Sequence, residues 1–325
     1  MKRLLVAASF LLALAVVGVG AFYSWAISKF EAAGPLDQRK IVRIERGAGL
    51  QQIARELADA GVIADPLIFR FGARVGGQAT QLKAGEFAFP AAVSPKGALG
   101  IIVSGRTVAR TLTVPEGRTS RKVVELVRAA DGLTGKIEAV PDDGTLLPET
   151  YHYRYGDGRA ELIARMRQAM QDTLDELWPQ RADGLPYDSR AEAVTLASII
   201  EGETAVPEER ALVASVFVNR LERGMRLQSD PTVRYALTDG ERELDRPLTR
   251  ADWKVDHPYN TYQTAGLPPG PINNPGREAI AAALNPADTD YLYFVADGTG
   301  GHAFAETLRE HNRNVAEWRR VRDSE

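Results

Sequence analysis

No cysteine occurs among the 325 residues. That excludes disulfide scaffolds, thiol nucleophiles and cysteine-based zinc sites, and leaves the chain suited to a compartment of any redox poise. Histidine is scarce. His152, His257, His302 and His311 are too scattered for a metal-ligand spacing, so a metal-dependent hydrolase built on His257 or His302 has little to stand on, and no metal is expected. Aromatics make up 7% of the chain. A dominant charge is missing too: 40 Lys and Arg against 43 Asp and Glu leave a net −3. Such balance gives no basis for nucleic acid or an anionic lipid surface as the main partner. The 44% hydrophobic content suffices for two modest domains rather than one large core.

The chain does have one long apolar run. Lys2 and Arg3 precede an uncharged stretch from Leu4 to Ser28 rich in Leu, Ala and Val, with Phe22, Tyr23 and Trp25 near its end. About 20 apolar residues suffice to cross the hydrocarbon layer as a helix, and flanking cations keep their end in the cytoplasm. The aromatics stand where an interfacial anchor belongs. A cleaved signal peptide is the competing reading, with Val19-Gly20-Ala21 as its small-residue site. The length of the run favours an uncleaved, single-pass anchor with the rest of the chain exported.

Beyond a short linker, 29–40, Ile41 to Ile44 alternates like a strand. Ala48 to Ala60 carries helical spacing at Leu50, Ile53, Ala54 and Leu57, and Pro66 to Arg74 reads as a second helix. Leu82 to Phe89 is an alternating strand and Pro95 to Val103 a third helix. The order of strand, helix pair and strand resembles the peptidoglycan-binding LysM fold. A further strand over Val108 to Val114 leads to a helix at Ser120 to Ala130, for which Ser120 is a candidate cap, and another helix runs from Gly158 to Leu177. The expected organisation is α+β throughout: a tip and anchor at 1–28, the linker, a LysM-like module at 41–108, and a larger α+β catalytic domain at 109–325. The stretch Asp252 to Pro275, rich in Gly, Pro, Asn and Tyr, is too long for an ordinary connection and reads as a binding surface.

Ala191 to Thr204 is almost wholly apolar until its end, where Glu201 and Glu203 stand either side of Gly202. Val194, Ala197 and Glu201 share a helix face, while Leu196, Ile199 and Ile200 lie at helical spacing from Glu203. A carboxyl beside a core is pushed toward the range of a general acid at neutral pH. Periodicity does not choose between the two, and pairing of Glu201 with Arg210 is the bland alternative. A helix from Pro207 to Arg223, stopped by Gly224, comes next. Gln228, Ser229, Asp230 and Thr232 then offer donors and acceptors of the kind sugars need, although a turn with Asp230 as helix cap accounts for them equally.

Several strings share one order: Pro115-Glu116-Gly117, LLPETYHY at 146–153, LASIIEGET at 196–204, then VASVFVNRL, GMRLQSDPTV and Tyr235. Tyr259-Asn260-Thr261-Tyr262, GLPPGPINNPG at 266–276, YLYFVADGTGGHAF and EHNRNV complete them. Together they closely resemble the YceG-type endolytic murein transglycosylases (MltG-like), over nearly the whole exported chain. The resemblance implies a lyase that cleaves the MurNAc–GlcNAc bond of nascent peptidoglycan strands and leaves 1,6-anhydro-MurNAc ends. It assigns catalysis to the glutamate that closes the LASII-E string, Glu201, as general acid and then base. One departure is Gly202, where a lysine is common in the family. Gln228, Ser229, Asp230, Thr232, Tyr235, Asn260, Tyr262 and Asn274 are the expected substrate-binding residues, with Glu149 and Tyr151 near the same groove. No cofactor is implied. Partners are glycan strands, the bacterial inner membrane and, by family likeness, peptidoglycan synthases with division or elongation machinery. A non-catalytic, membrane-anchored peptidoglycan-binding scaffold is the competing reading.

Overall fold

A computed structural model describes residues 2–323. Met1, Ser324 and Glu325, the outermost residues of the first and last expected domains, lie outside the described residues. The fold is α+β. The chain divides into two compact units, 1–110 with 154–156, and 111–153 with 157–325.

The first unit opens with α1 (Lys2–Glu31), whose stretch Leu5–Glu31 is, among the described residues, the one helix long and apolar enough to cross a membrane. Next come β1 (Lys40–Ile44), α2 (Leu50–Asp59), α3 (Pro66–Val75), β2 (Gly85–Phe89) and α4 (Pro95–Ser104). β1 and β2 pair antiparallel, with Val42 opposite Phe87 and Ile44 opposite Gly85. Their inward side chains meet Ile53, Leu57, Phe69, Leu99 and Ile102 in one core. Local chemistry sets the helix ends. Asp65 accepts the Leu67 and Ile68 N–H groups ahead of Pro66, Ser94 accepts that of Gly97, and Gly105 leaves α4 in the left-handed region at φ 70°. The second strand is shorter than its alternation suggests, because Leu82–Ala84 lie outside the pairing with β1.

The last turns of α1 belong to this core. Ala26 is fully buried and Phe30 nearly so. Phe30 lies so close over Gly72 of α3 that a β-carbon there would stand 2.4 Å from its ring.

β3 (Ala109–Thr113) and β4 (Thr150–Arg154) form a second two-stranded sheet, with α5 (Ser120–Ala129) between them in sequence. Thr119, not Ser120, caps α5 by accepting the Lys122 N–H; the Ser120 hydroxyl donates instead to the Asp142 carbonyl. α6 (Arg159–Leu177), α7 (Arg190–Glu203), α8 (Arg210–Glu222), α9 (Asp230–Ala236) and α10 (Arg277–Leu284) follow. α8 starts later than its sequence pattern implies, since Pro207–Glu209 forms a separate 3-10 turn. A hairpin of β5 (Tyr293–Ala296) and β6 (His302–Ala305) precedes α11 (Leu308–Arg322). α7 is the axis of this unit. Every residue from Ala193 to Ile200 is buried, with α8 and α10 packed on it. A helix apolar all round must be enclosed, and this one is.

Candidate active site

Ser189 and Glu192 start α7 with a reciprocal capping box. Its far end is stitched to the loop before α10 by its own polar groups. Ser198 Oγ accepts the Ile272 N–H at 3.0 Å, the Ser198 carbonyl accepts Asn273 Nδ2 at 2.8 Å, and Glu201 Oε2 accepts the Gly276 N–H at 3.0 Å. This lays the loop along the helix and builds one wall of the site.

Glu201 is thus placed in a packed corner. Its side chain is 6% exposed, the Arg210 guanidinium stands 3.7 Å from Oε1, and Arg210 also reaches Glu116 at 3.3 Å. Gly117, at φ 72°, brings its backbone against the Glu201 Cγ. Burial pushes the Glu201 carboxyl up; the Gly276 N–H and Arg210 pull it down, while Glu116 adds to the rise.

Two residues on, Glu203 has different surroundings. Two cavities meet at it. One, of about 550 Å³, is walled by Gly202, Glu203, Asp230, Arg234, Tyr235 and Asn273 among others. The second, of about 460 Å³, includes Glu203, Arg220, Gln228, Asp230, Tyr262, Tyr293 and His311 in its wall. Both fall in the range of ~300–1,000 Å³ usual for ligand pockets. Glu203 and Asp230 are common to the two, and Glu201 is on neither wall. Burial pushes the Glu203 carboxyl up to about 7; the Ser229 hydroxyl opposes this, the Asp230 charge adds to it and Arg220 opposes it. A carboxyl poised there is protonated for a useful fraction of time at neutral pH. Of the two carboxyls that helical spacing could not separate, Glu203 is the one on the walls of these two cavities.

Asp230 does not cap a helix. It is the first residue of α9, and its Oδ1 accepts Trp253 Nε1–H at 3.0 Å and the Tyr262 hydroxyl at 2.8 Å. The two rings stack at 5.7 Å and 24°, so a rigid aromatic pair fixes this carboxylate at the cavity junction. Gln228 sits on the rim in the left-handed region, φ 53°, held by its N–H to the Thr261 carbonyl. Such strain in a non-glycine residue costs ~1 kcal/mol or more and persists only where surroundings enforce it.

The other expected binding residues divide. Tyr235 lines the first cavity, with its hydroxyl on Asp143 Oδ2 at 3.0 Å and its ring 4.6 Å from that of Tyr259. Thr232, Asn260 and Asn274 are fully buried and spend their polar groups on the protein. Thr232 Oγ1 donates to the Ser229 carbonyl. Asn260 Nδ2 donates to the Trp253 and Val255 carbonyls. Asn274 Oδ1 accepts the Leu146 N–H while its Nδ2 reaches the Arg118 carbonyl. Ser229 is buried as well; its N–H goes to Thr261 Oγ1 and its hydroxyl bears on Glu203. Tyr151 is buried and donates to the Leu147 carbonyl, and Glu149 accepts the Thr150 N–H; neither is on these walls. His257 and His302 pair with separate carboxylates, Asp239 and Glu209.

Trp253 and Tyr293 carry no sequence signal of their own, and His311 enters only as one of four scattered histidines. Arg220 is 8% exposed and donates to the Leu292 and Leu227 carbonyls, tying β5 to the strand of chain that leads into α9. The only signal for it was an arginine inside an otherwise apolar helical stripe.

The sequence matches the profile of the YceG-like family over residues 42–317. It is 31% identical to an endolytic murein transglycosylase of Streptococcus pneumoniae serotype 2, over 95% of this chain and 64% of that protein. With an endolytic murein transglycosylase of Bacillus subtilis it shares 40% identity over 53% of this chain and 47% of the relative. The chain thus spans less than two thirds of the length of these curated relatives. A crystal structure of a YceG-like protein from Listeria monocytogenes superimposes with a TM-score of 0.54 at 32% identity, covering 85% of this chain and 98% of that one.

Proposed function

This chain belongs to the YceG-like family, and from that premise we propose that it is an endolytic lytic transglycosylase of peptidoglycan, with Glu203 as its proton-transfer group. The observation that carries the assignment is a carboxyl raised to about 7 at the junction of two cavities, beside a fixed aspartate. Protonated Glu203 gives its proton to the oxygen linking MurNAc to GlcNAc as the bond from the anomeric carbon to that oxygen breaks. Positive charge on the anomeric carbon falls under the field of Asp230. The 6-hydroxyl of the same MurNAc then attacks that carbon and passes its proton to the Glu203 carboxylate, closing the 1,6-anhydro ring. Most glycosidases need a second carboxylate to hold water or to bond the sugar. Here the nucleophile is intramolecular, and effective molarities on the order of 10⁵ M or more remove that need.

In this reading Glu201 is a positioning residue, holding the Gly276 turn and Arg210. Tyr262, Tyr235 and Gln228 touch the strand, whereas Asn260, Asn274 and Thr232 shape the loop that presents them. α1 anchors the chain in the inner membrane with its N-terminus cytoplasmic. The LysM-like stretch 41–108 holds newly made strands beside synthases and division or elongation machinery.

The test is mass spectrometry of glycan strands digested by the full chain. Glu203→Gln is expected to abolish 1,6-anhydro ends while Glu201→Gln retains measurable cutting. The opposite pattern returns the proton to Glu201. Unimpaired cutting by both variants, or reducing ends in place of anhydro ends, refutes the mechanism.

A further inference from the structure

We infer that α3 lies in the bilayer interface, with the face carrying Leu67, Phe71 and Val75 set among lipid headgroups and upper acyl chains, so that the first unit rests in the membrane surface. The inference rests on the reading of α1 as a spanning helix and goes beyond it. Twenty residues of helix, about 30 Å, match the hydrocarbon thickness, which counted from Leu5 ends near Ser24. The turn around that point carries the interfacial aromatics. Phe22, Tyr23 and Trp25 are each about half exposed. Phe71 of α3 packs edge-on against both Phe22 and Tyr23, at 5.9 and 6.1 Å between ring centroids. α3 is therefore fixed at the depth where the hydrocarbon ends.

Its outer face suits that depth. Leu67 is 65% exposed and Val75 49% exposed, each four residues from Phe71 and so on the same side of the helix. Four residues are about 6 Å of rise. Subtracting ~30 Å of hydrocarbon from ~40–45 Å of bilayer leaves a headgroup layer of about 5–7 Å on each side. The opposite face, Ile68, Phe69, Gly72 and Ala73, is buried in the core, so Leu67 and Val75, on either side of Phe71, are left uncovered by the rest of the unit. Arg70 and Arg74 flank it, with Arg74 exposed. Cationic stems beside an apolar stripe are the composition of helices that lie in an interface, where charged heads reach phosphates and stems stay in the acyl boundary. The socket of Phe30 on Gly72 prevents α3 from sliding along α1.

The absence of cysteine makes the test direct. Single-cysteine variants Leu12→Cys, Leu67→Cys, Val75→Cys and Gln52→Cys of the full chain are labelled with an environment-sensitive fluorophore. Each is reconstituted in vesicles of three parts phosphatidylethanolamine to one of phosphatidylglycerol. Leu67 and Val75 are exposed, so the labels leave the fold intact; Gln52 on α2 is an exposed reference outside the α1–α3 contact. Doxyl groups placed shallow on the acyl chain are expected to quench positions 67 and 75 at least threefold more than position 52, with position 12 quenched best by deep doxyl groups. Quenching at 12 with positions 67 and 75 no different from 52 overturns the inference and leaves the anchor standing. No quenching at 12 overturns the spanning reading and this inference with it.

Discussion

On one side of the last turn of α7, Glu201 faces a wall of protein: the Pro115–Gly117 turn, Arg210 and the Gly276 N–H. On the other side Glu203 faces two cavities, with Asp230 and Ser229 for neighbours. Residues two apart on a helix point about 200° from one another, at 3.6 residues per turn. Both carboxyls are raised by burial, yet the first is bound up in holding a loop and the second stands on the walls of two cavities. Burial alone therefore does not separate the two carboxyls; the proposed mechanism rests on what each one faces.

The comparison is broken most directly by exchanging the two carboxyls for amides. Glu203→Gln is expected to lower the rate of anhydro-product formation by roughly 10²–10⁴-fold, the usual contribution of a general acid or base. Glu201→Gln keeps an acceptor for the Gly276 N–H and is expected to cost about tenfold, read in the same assay as a shared change in kcat and KM. The Glu201 side is structural in a second sense. Asn274→Ala leaves the buried Leu146 N–H without its acceptor. A loss of about 2–3 kcal/mol in denaturant unfolding is expected, with kcat of the folded protein little changed.

On the open side, Asp230→Asn sharpens the contrast through pH. The Asp230 charge holds the Glu203 proton on, so its neutralisation moves the alkaline limb of the kcat/KM profile to lower pH. Trp253→Phe removes one donor to Asp230 and is expected to cost about threefold to tenfold with an unchanged pH profile, the scale of one hydrogen bond. The remaining effect is on stability alone. Glu203 holds its proton to about 7 when folded, against an ordinary carboxyl value of 4.5 when unfolded. Between those two values the unfolded chain releases a proton that the folded one retains, so this group lowers stability as pH rises through the window and no further above it. Glu203→Gln is expected to raise stability by up to about 3 kcal/mol at pH 8 and by nothing at pH 4, measured by thermal melts at both.

Most of the regular elements were legible, for reasons visible in single residues. Ile53, Ala54 and Leu57 repeat at helical spacing, and all three are buried. Gly224, expected to stop the helix now seen as α8, stands just past its end at φ 64°. The site was legible only in part. Asn260, Thr261 and Asn274 look in sequence like a sugar-binding surface, because polar residues in a long loop are ordinarily exposed. A loop without helix or strand must satisfy its own backbone groups, and here the amides are buried to do so. One wall of the site draws on Glu203, Arg220 and Tyr293, residues separated along the chain and joined only by the fold. The family resemblance pointed to the last turn of α7, but no one-dimensional pattern records which of its carboxyls lines a cavity.

On the proposed reading of α1 as a membrane anchor, the ring of Phe30 in its glycine socket makes that anchor end as a bolt, not as a rope. A protein tied by a slack leash samples a hemisphere above its attachment point. A bolted one keeps a constant height and heading, and it explores only by drifting in the plane of the sheet that holds it. For the first unit the search is then two-dimensional, and a polymer made at that same plane is met without any descent from above.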